Sequence, residues 1–152
     1  MKTENTIDVL NSLIEINNDR IYGYETASKE VEETDLKMMF SQATETSLKC
    51  KAQLVAEVKS LGGEPTESTT TTGKIYRIWM DVKALVTGKS RKVILDSCVF
   101  GEEAAIEKYH EALNNGGDLT SGLQLIIAEQ LLVIKADQDK VKKVVDMIEL
   151  SK

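Results

Sequence analysis

The chain has 152 residues, with 19 Lys and Arg against 25 Asp and Glu for a formal net charge of −6, and it carries one His, two Cys, one Pro and nine Gly. That length suits one domain with its own core, and the acidic balance opposes nucleic acid and anionic membrane surfaces as partners. Met1 to Asn5 lack the apolar run of a signal peptide and no stretch is apolar enough to span a bilayer, so a cytoplasmic location is expected.

Two Phe, one Trp and four Tyr are few for a sheet protein, and the chain reads as all helical. The first periodic segment places Ile7, Leu10, Leu13, Ile14, Asn17, Ile21, Tyr24, Ala27 and Val31 on one stripe in steps of three and four. A second helix follows with Asp35 as its expected N-cap and Leu36, Met39, Phe40, Ala43, Ser47, Cys50, Leu54, Val58 and Leu61 on its inner face. Gly62-Gly63-Glu64-Pro65 should end it. Cys50 and Cys98 stand alone within helical patterns, without CxxC spacing, and are expected to be reduced thiols.

From Thr66 to Gly73 the chain turns to Thr and Ser, the composition of a surface linker. A short amphipathic segment with Ile75, Ile78, Trp79, Val82, Leu85 and Val86 then predicts a crossover helix packed outside the bundle. The third long helix begins near Ser90, with Ile94, Leu95, Cys98, Glu102, Ala105, Ile106, Tyr109 and Leu113 inward. The fourth opens near Asp118 and shows Leu123, Ile126, Ile127, Gln130, Val133, Ile134, Asp137, Val141, Val144 and Ile148.

The expectation is therefore a single domain over 1–152, with hairpins at 4–62 and 90–150 joined by a crossover at 63–89. Tight turns make each hairpin antiparallel, and an extended linker of about ten residues reaches roughly 33 Å, enough with the short helix to run the bundle's length. That gives a ferritin-like four-helix bundle with up-down-down-up connectivity; a plain up-down bundle with a large decorated loop uses the same elements. The hairpins also echo one another, Tyr24-Glu25-Thr26-Ala27 against Tyr109-His110-Glu111-Ala112 and Asp35-Leu36 against Asp118-Leu119.

Each stripe is interrupted near its middle by one polar residue: Asn17, Ser47, Glu102 and Gln130. Asn17 precedes Tyr24 by the same interval as Glu102 precedes Tyr109, so the four are expected to meet at one level. Glu102 is the sharpest of them, because Cys98, Val99, Ala105 and Ile106 around it are apolar. A buried carboxyl needs partners, and a hydrogen-bonded layer that fixes helix register is one reading.

The other reading is a metal centre. Di-metal carboxylate bundles take a Glu from each of two helices and a Glu-x-x-His pair from each of the others. The corresponding places here read Asn17, Ser47 with Cys50, Glu102, and Gln130 with Val133, too few anionic ligands for two divalent ions. A shifted register, with Glu45, Glu103 and Glu129 turned inward beside Glu102, would hold iron, manganese or zinc. His110 is a lone histidine at the stripe's edge and cannot build a triad or a typical zinc site.

Several segments carry a resemblance: Leu10-Asn11-Ser12-Leu13-Ile14-Glu15, Gly23-Tyr24, Leu61-Gly62-Gly63-Glu64-Pro65, Arg77-Ile78-Trp79-Met80 with Lys83, Thr87-Gly88, and Gly101-Glu102-Glu103-Ala104-Ala105. Over nearly its whole length the chain resembles a bacterial family of four-helix bundles in the ferritin-like superfamily, the domain of unknown function 2383. The resemblance implies ferritin-like topology and a bacterial cytosolic protein, with no established enzyme activity. In that family the last helix often carries a His-Asp pair where this chain has Gln138-Asp139, a departure that weakens a metal or acid-base role.

Two functions of different class follow. One is a non-catalytic bundle, a homo-oligomer or a binder of a protein partner, in stress physiology and with no cofactor. The other is a metal-binding carboxylate protein or oxidase with a degenerate site. The shortage of ligands favours the first and leans against an enzyme.

Overall fold

The computed structural model describes residues 2–70, 91–114 and 117–150. Four helices make up the fold: α1 (Lys2–Glu30), α2 (Thr34–Ser60), α3 (Arg91–Asn114) and α4 (Ser121–Leu150). The expected crossover helix at Ile75 to Val86 lies outside the described residues.

The helix ends follow from local chemistry, with two differences from expectation. Asp35 is not the N-cap of α2; the extended residue Glu33 holds that position, its carbonyl accepting from the Lys37 N–H at 3.0 Å without a side-chain cap, and Asp35 falls in the first turn, where its carboxylate faces the positive end of the helix dipole. Nor does α4 open at Asp118. Thr120 is its cap, its hydroxyl accepting from the Leu123 N–H at 3.2 Å, while Asp118 accepts from the Asn5 side chain at 3.0 Å and so ties the α3–α4 turn to the start of α1.

At its far end α2 closes as a Schellman turn. The Gly63 N–H donates to Val58 O and the Gly62 N–H to Lys59 O, both at 3.0 Å, with Gly62 at a φ of 81°. A Cβ on Gly63 would lie 2.9 Å from Ile7 Cδ1, so glycine there lets this turn sit against the first turns of α1.

Cross-helix contacts fix the directions. Asn17 meets Tyr109 and Arg20 meets Glu102, so α3 runs antiparallel to α1. Gln53 meets Gln130 while Met38 and Met39 share a groove with Lys140 and Val144, and Gln138 meets Glu103 while Lys92 meets Glu149, so α4 runs antiparallel to both α2 and α3. The result is up-down-down-up. Residues 64–70 leave α2 and climb α1: the Asn11 side chain brackets Glu64 O (3.1 Å) and the Thr66 N–H (2.9 Å), Asn18 donates to Ser68 O (2.8 Å), and Asp19 accepts from the Thr70 N–H (3.0 Å) and the Thr70 hydroxyl. A Thr/Ser stretch suits this path, because its backbone is anchored by side chains of α1 rather than by a core of its own.

The apolar core falls into two clusters. One gathers Leu10, Leu13, Leu54, Ile106, Ile127 and Ile134; the other gathers Tyr24, Leu36, Phe40, Leu95, Cys98 and Val141. Each fully buried Leu or Ile contributes about 2 kcal/mol. Val133, expected on the inner stripe, is instead exposed, and Ile16 is buried. Cys50 and Cys98 are buried free thiols. No helix among the described residues is long and apolar enough to cross a membrane.

Candidate functional site

Between the two clusters the bundle centre is polar, and its organiser is Arg20. The guanidinium grips Glu102 with two bonds, Nε to Oε1 at 2.6 Å and Nη2 to Oε2 at 2.7 Å. Nη2 also donates to Asp137 Oδ2 at 3.3 Å, and Nη1 donates to the Ser47 hydroxyl. Each helix therefore supplies one member of this layer, and all four are buried. The Tyr24 ring closes one side, its centroid 5.7 Å from the Arg20 guanidinium carbon.

Burial sets the electrostatics. It works against the charged guanidinium, but the Glu102 carboxylate outweighs it and Arg20 is held well above its ordinary range, permanently protonated. Burial likewise pushes the Glu102 carboxyl above its ordinary value, with Arg20 pulling it back down. The Tyr24 phenol is pushed far up by burial and then by the Glu102 charge, so it stays neutral beside that carboxylate. The Cys98 thiol is raised for the same two reasons.

About one helical turn away lies a second polar layer. The Asn17 Nδ2 group donates to the Tyr109 hydroxyl at 2.8 Å and to Leu13 O at 2.9 Å. Tyr109 passes a hydrogen bond to Gln130 Oε1 at 2.8 Å, and Gln130 Nε2 donates to Gln53 Oε1 at 2.9 Å and to Cys50 O at 3.2 Å. Asn17 Oδ1 is buried with no hydrogen-bond partner among the described residues. Burial raises the Tyr109 phenol and pushes the neighbouring Cys50 thiol up to about 11, so neither is an ionised nucleophile at neutral pH.

Asn17, Ser47, Glu102 and Gln130 are all buried, yet they do not share one level. Ser47 and Glu102 meet through Arg20, whereas Asn17 and Gln130 meet through Tyr109. The reason is the helix rise: Asn17 and Arg20, three residues apart on one face, head two adjacent layers.

The shifted metal register does not form. Glu45, Glu103 and Glu129 are exposed; Glu45 lies 3.6 Å from Lys49 in a surface pair, and Glu103 accepts from Gln138 Nε2 at 2.9 Å. His110 is exposed too, and among the described residues no group of three or more His, Cys, Asp or Glu is placed to hold a metal. Both Glu102 oxygens already face a fixed cation, which would repel a divalent ion at the same place. The donor set does not fit a di-metal centre.

Arg20 itself escaped the sequence reading. A long charged side chain after Asn18-Asp19 looks solvated, although its three- and four-residue spacing from Asn17, Ile16 and Tyr24 places it on the inner face. Asp137 stood on the stripe without a role, and only the cation opposite gives it one.

An up-down-down-up bundle with a polar centre built from all four helices defines a ferritin-like helical protein. The chain belongs to the family described as Domain of unknown function (DUF2383), whose model matches residues 5–115, a span that includes Arg20, Ser47 and Glu102 but not Asp137. Its fold is similar to that of a solved ferritin-like, diiron-carboxylate protein from Bacillus anthracis str. Ames, with a TM-score of 0.75 and 15% identity over 95% of this chain and 98% of that chain. No protein of curated function matches the sequence significantly.

Proposed function

We propose that this chain is a non-catalytic ferritin-like bundle of the cytoplasm that acts by self-association or by binding a protein partner. The observation that carries this reading is Arg20 at the bundle centre. Its guanidinium, gripped by Glu102 and flanked by Asp137, supplies the positive charge that a metal ion would supply in a di-metal bundle. With the thiols and phenols of the centre held protonated, the site offers no ready nucleophile, and its two carboxylates, Glu102 and Asp137, are both taken up by the Arg20 guanidinium. The net charge of −6 directs partner choice towards proteins rather than phosphate backbones or anionic lipid.

The test is elemental analysis of chelator-free protein reloaded with ferrous, manganous or zinc ions and washed, run beside sedimentation velocity. The reading expects no stoichiometric retained metal and a defined assembly. Stoichiometric metal that disappears in Glu102→Ala would overturn it in favour of a metal-binding carboxylate protein.

A further inference from the structure

Asn17 Oδ1 is fully buried on α1 and accepts no hydrogen bond among the described residues. Turning the amide over does not repair it. Nδ2 is held at 2.9 Å by Leu13 O, a carbonyl that can only accept. Gln130 Nε2 is likewise held at 3.2 Å by Cys50 O, which leaves Gln130 Oε1 to take the Tyr109 proton at 2.8 Å. Tyr109 therefore has only lone pairs to offer Asn17, and Oδ1 stays without a donor. A buried acceptor of this kind calls for ordered water or an ion.

The helix register brings a second group within reach. Ser28 meets Ser41 and Arg20 meets Ser47, so α1 and α2 are antiparallel and Asn17 stands opposite the turn from Ser47 to Cys50. Ser47 accepts from Arg20 Nη1 and gives its own proton to no group among the described residues. One helical turn, about 5.4 Å, separates the two polar layers, and two O–H···O bonds of about 2.8 Å each span such a distance. Charge selects the occupant. The Arg20 cation repels a metal ion or ammonium, and the carboxylates of Glu102 and Asp137 repel an anion. What fits is a small neutral molecule that both donates and accepts. An open groove of about 390 Å³ between α2 and α4 reaches Cys50 and Gln130, the latter two hydrogen bonds from Asn17, and gives solvent an approach.

We propose that one buried water joins the two polar layers, donating to Asn17 Oδ1 and accepting from the Ser47 hydroxyl. The centre is then one hydrogen-bonded chain, from Gln53 in the groove through Gln130, Tyr109, Asn17, the water and Ser47 to Arg20 and Glu102.

The test is a crystal structure of the full chain at a resolution that shows ordered water, with water-selective NOE spectra of the Asn17 side-chain amide in solution. A water should lie within hydrogen-bond distance of both Asn17 Oδ1 and Ser47 Oγ, and the Asn17 amide protons should show a cross-peak to it. Ser47→Ala removes one of its two partners and should lose or displace that water, with loss of the cross-peak. Asn17 Oδ1 facing only carbon, or bonded directly to a protein donor, would overturn the proposal on the wild-type chain alone. A water that stays in place on Asn17 in Ser47→Ala would overturn the bridge and leave the two layers separate.

Discussion

Arg20 and Glu102 form a two-bond ion pair, at 2.6 and 2.7 Å, with both side chains fully buried between α1 and α3. Such a pair contributes less to net stability than its geometry suggests, because two charges have left water. Breaking it is a different matter. Arg20→Ala strands a buried carboxylate and should destabilise by about 3–5 kcal/mol. Glu102→Gln should cost less than Glu102→Ala, since the amide oxygen still accepts from the guanidinium. The double variant Arg20→Met with Glu102→Leu should lie closer to wild type than Arg20→Ala does. Urea denaturation read by circular dichroism measures all four, and a double variant as unstable as Arg20→Ala would show that the pair's net contribution is large.

The same carboxyl makes stability depend on pH. Burial raises Glu102 above the 4.5 of a free glutamate, with Arg20 opposing the shift. The unfolded chain therefore ionises first as pH rises, the folded state binds more protons in that interval, and folding stability falls from pH 4.5 upward through the folded value. Glu102→Gln removes this contribution. Urea midpoints followed with pH should fall less steeply above 4.5 in the variant than in wild type. A steeper fall in the variant would mean that Arg20 outweighs burial and holds the carboxyl low.

Tyr109 links Asn17 to Gln130, accepting from one and donating to the other. Tyr109→Phe keeps the ring's packing and removes both bonds. It leaves the Gln130 carbonyl oxygen and one Asn17 N–H without their buried partner, at an expected cost of about 1–3 kcal/mol. Chemical denaturation checks it, and a change within about 0.5 kcal/mol, the range of an ordinary surface substitution, would show that water replaces the hydroxyl.

How much of this centre the sequence discloses depends on the residue. Glu102 is legible because every helical neighbour on its face is apolar, so a carboxyl there must be buried. The helices and their order are legible from the stripes and from Gly62-Gly63, and the long connection from α2 to α3 is legible from the number of residues between them. Arg20 is not legible from spacing alone, because its burial depends on carboxylates contributed by α3 and α4 from remote parts of the chain. The split into two layers depends on where α1 sits along its own axis against α3. That register is fixed by contacts such as Asn5 with Asp118, which no periodicity encodes.

Gly63 offers a test of that packing far from the polar centre. Its backbone passes so close to Ile7 that a Cβ would stand 2.9 to 3.1 Å from three carbons of that side chain. A β-branched side chain has little rotamer freedom with which to move aside. Gly63→Ala should therefore overpack the contact between α1 and the end of α2 and destabilise by about 1–3 kcal/mol. Ile7→Ala removes the clashing carbons, so in the double variant the Gly63→Ala penalty should largely vanish. A double-mutant cycle on urea midpoints isolates that coupling. Additive losses would mean that the two segments separate to admit the methyl group, and that the turn at Gly62-Gly63 is held by its own Schellman hydrogen bonds rather than by α1.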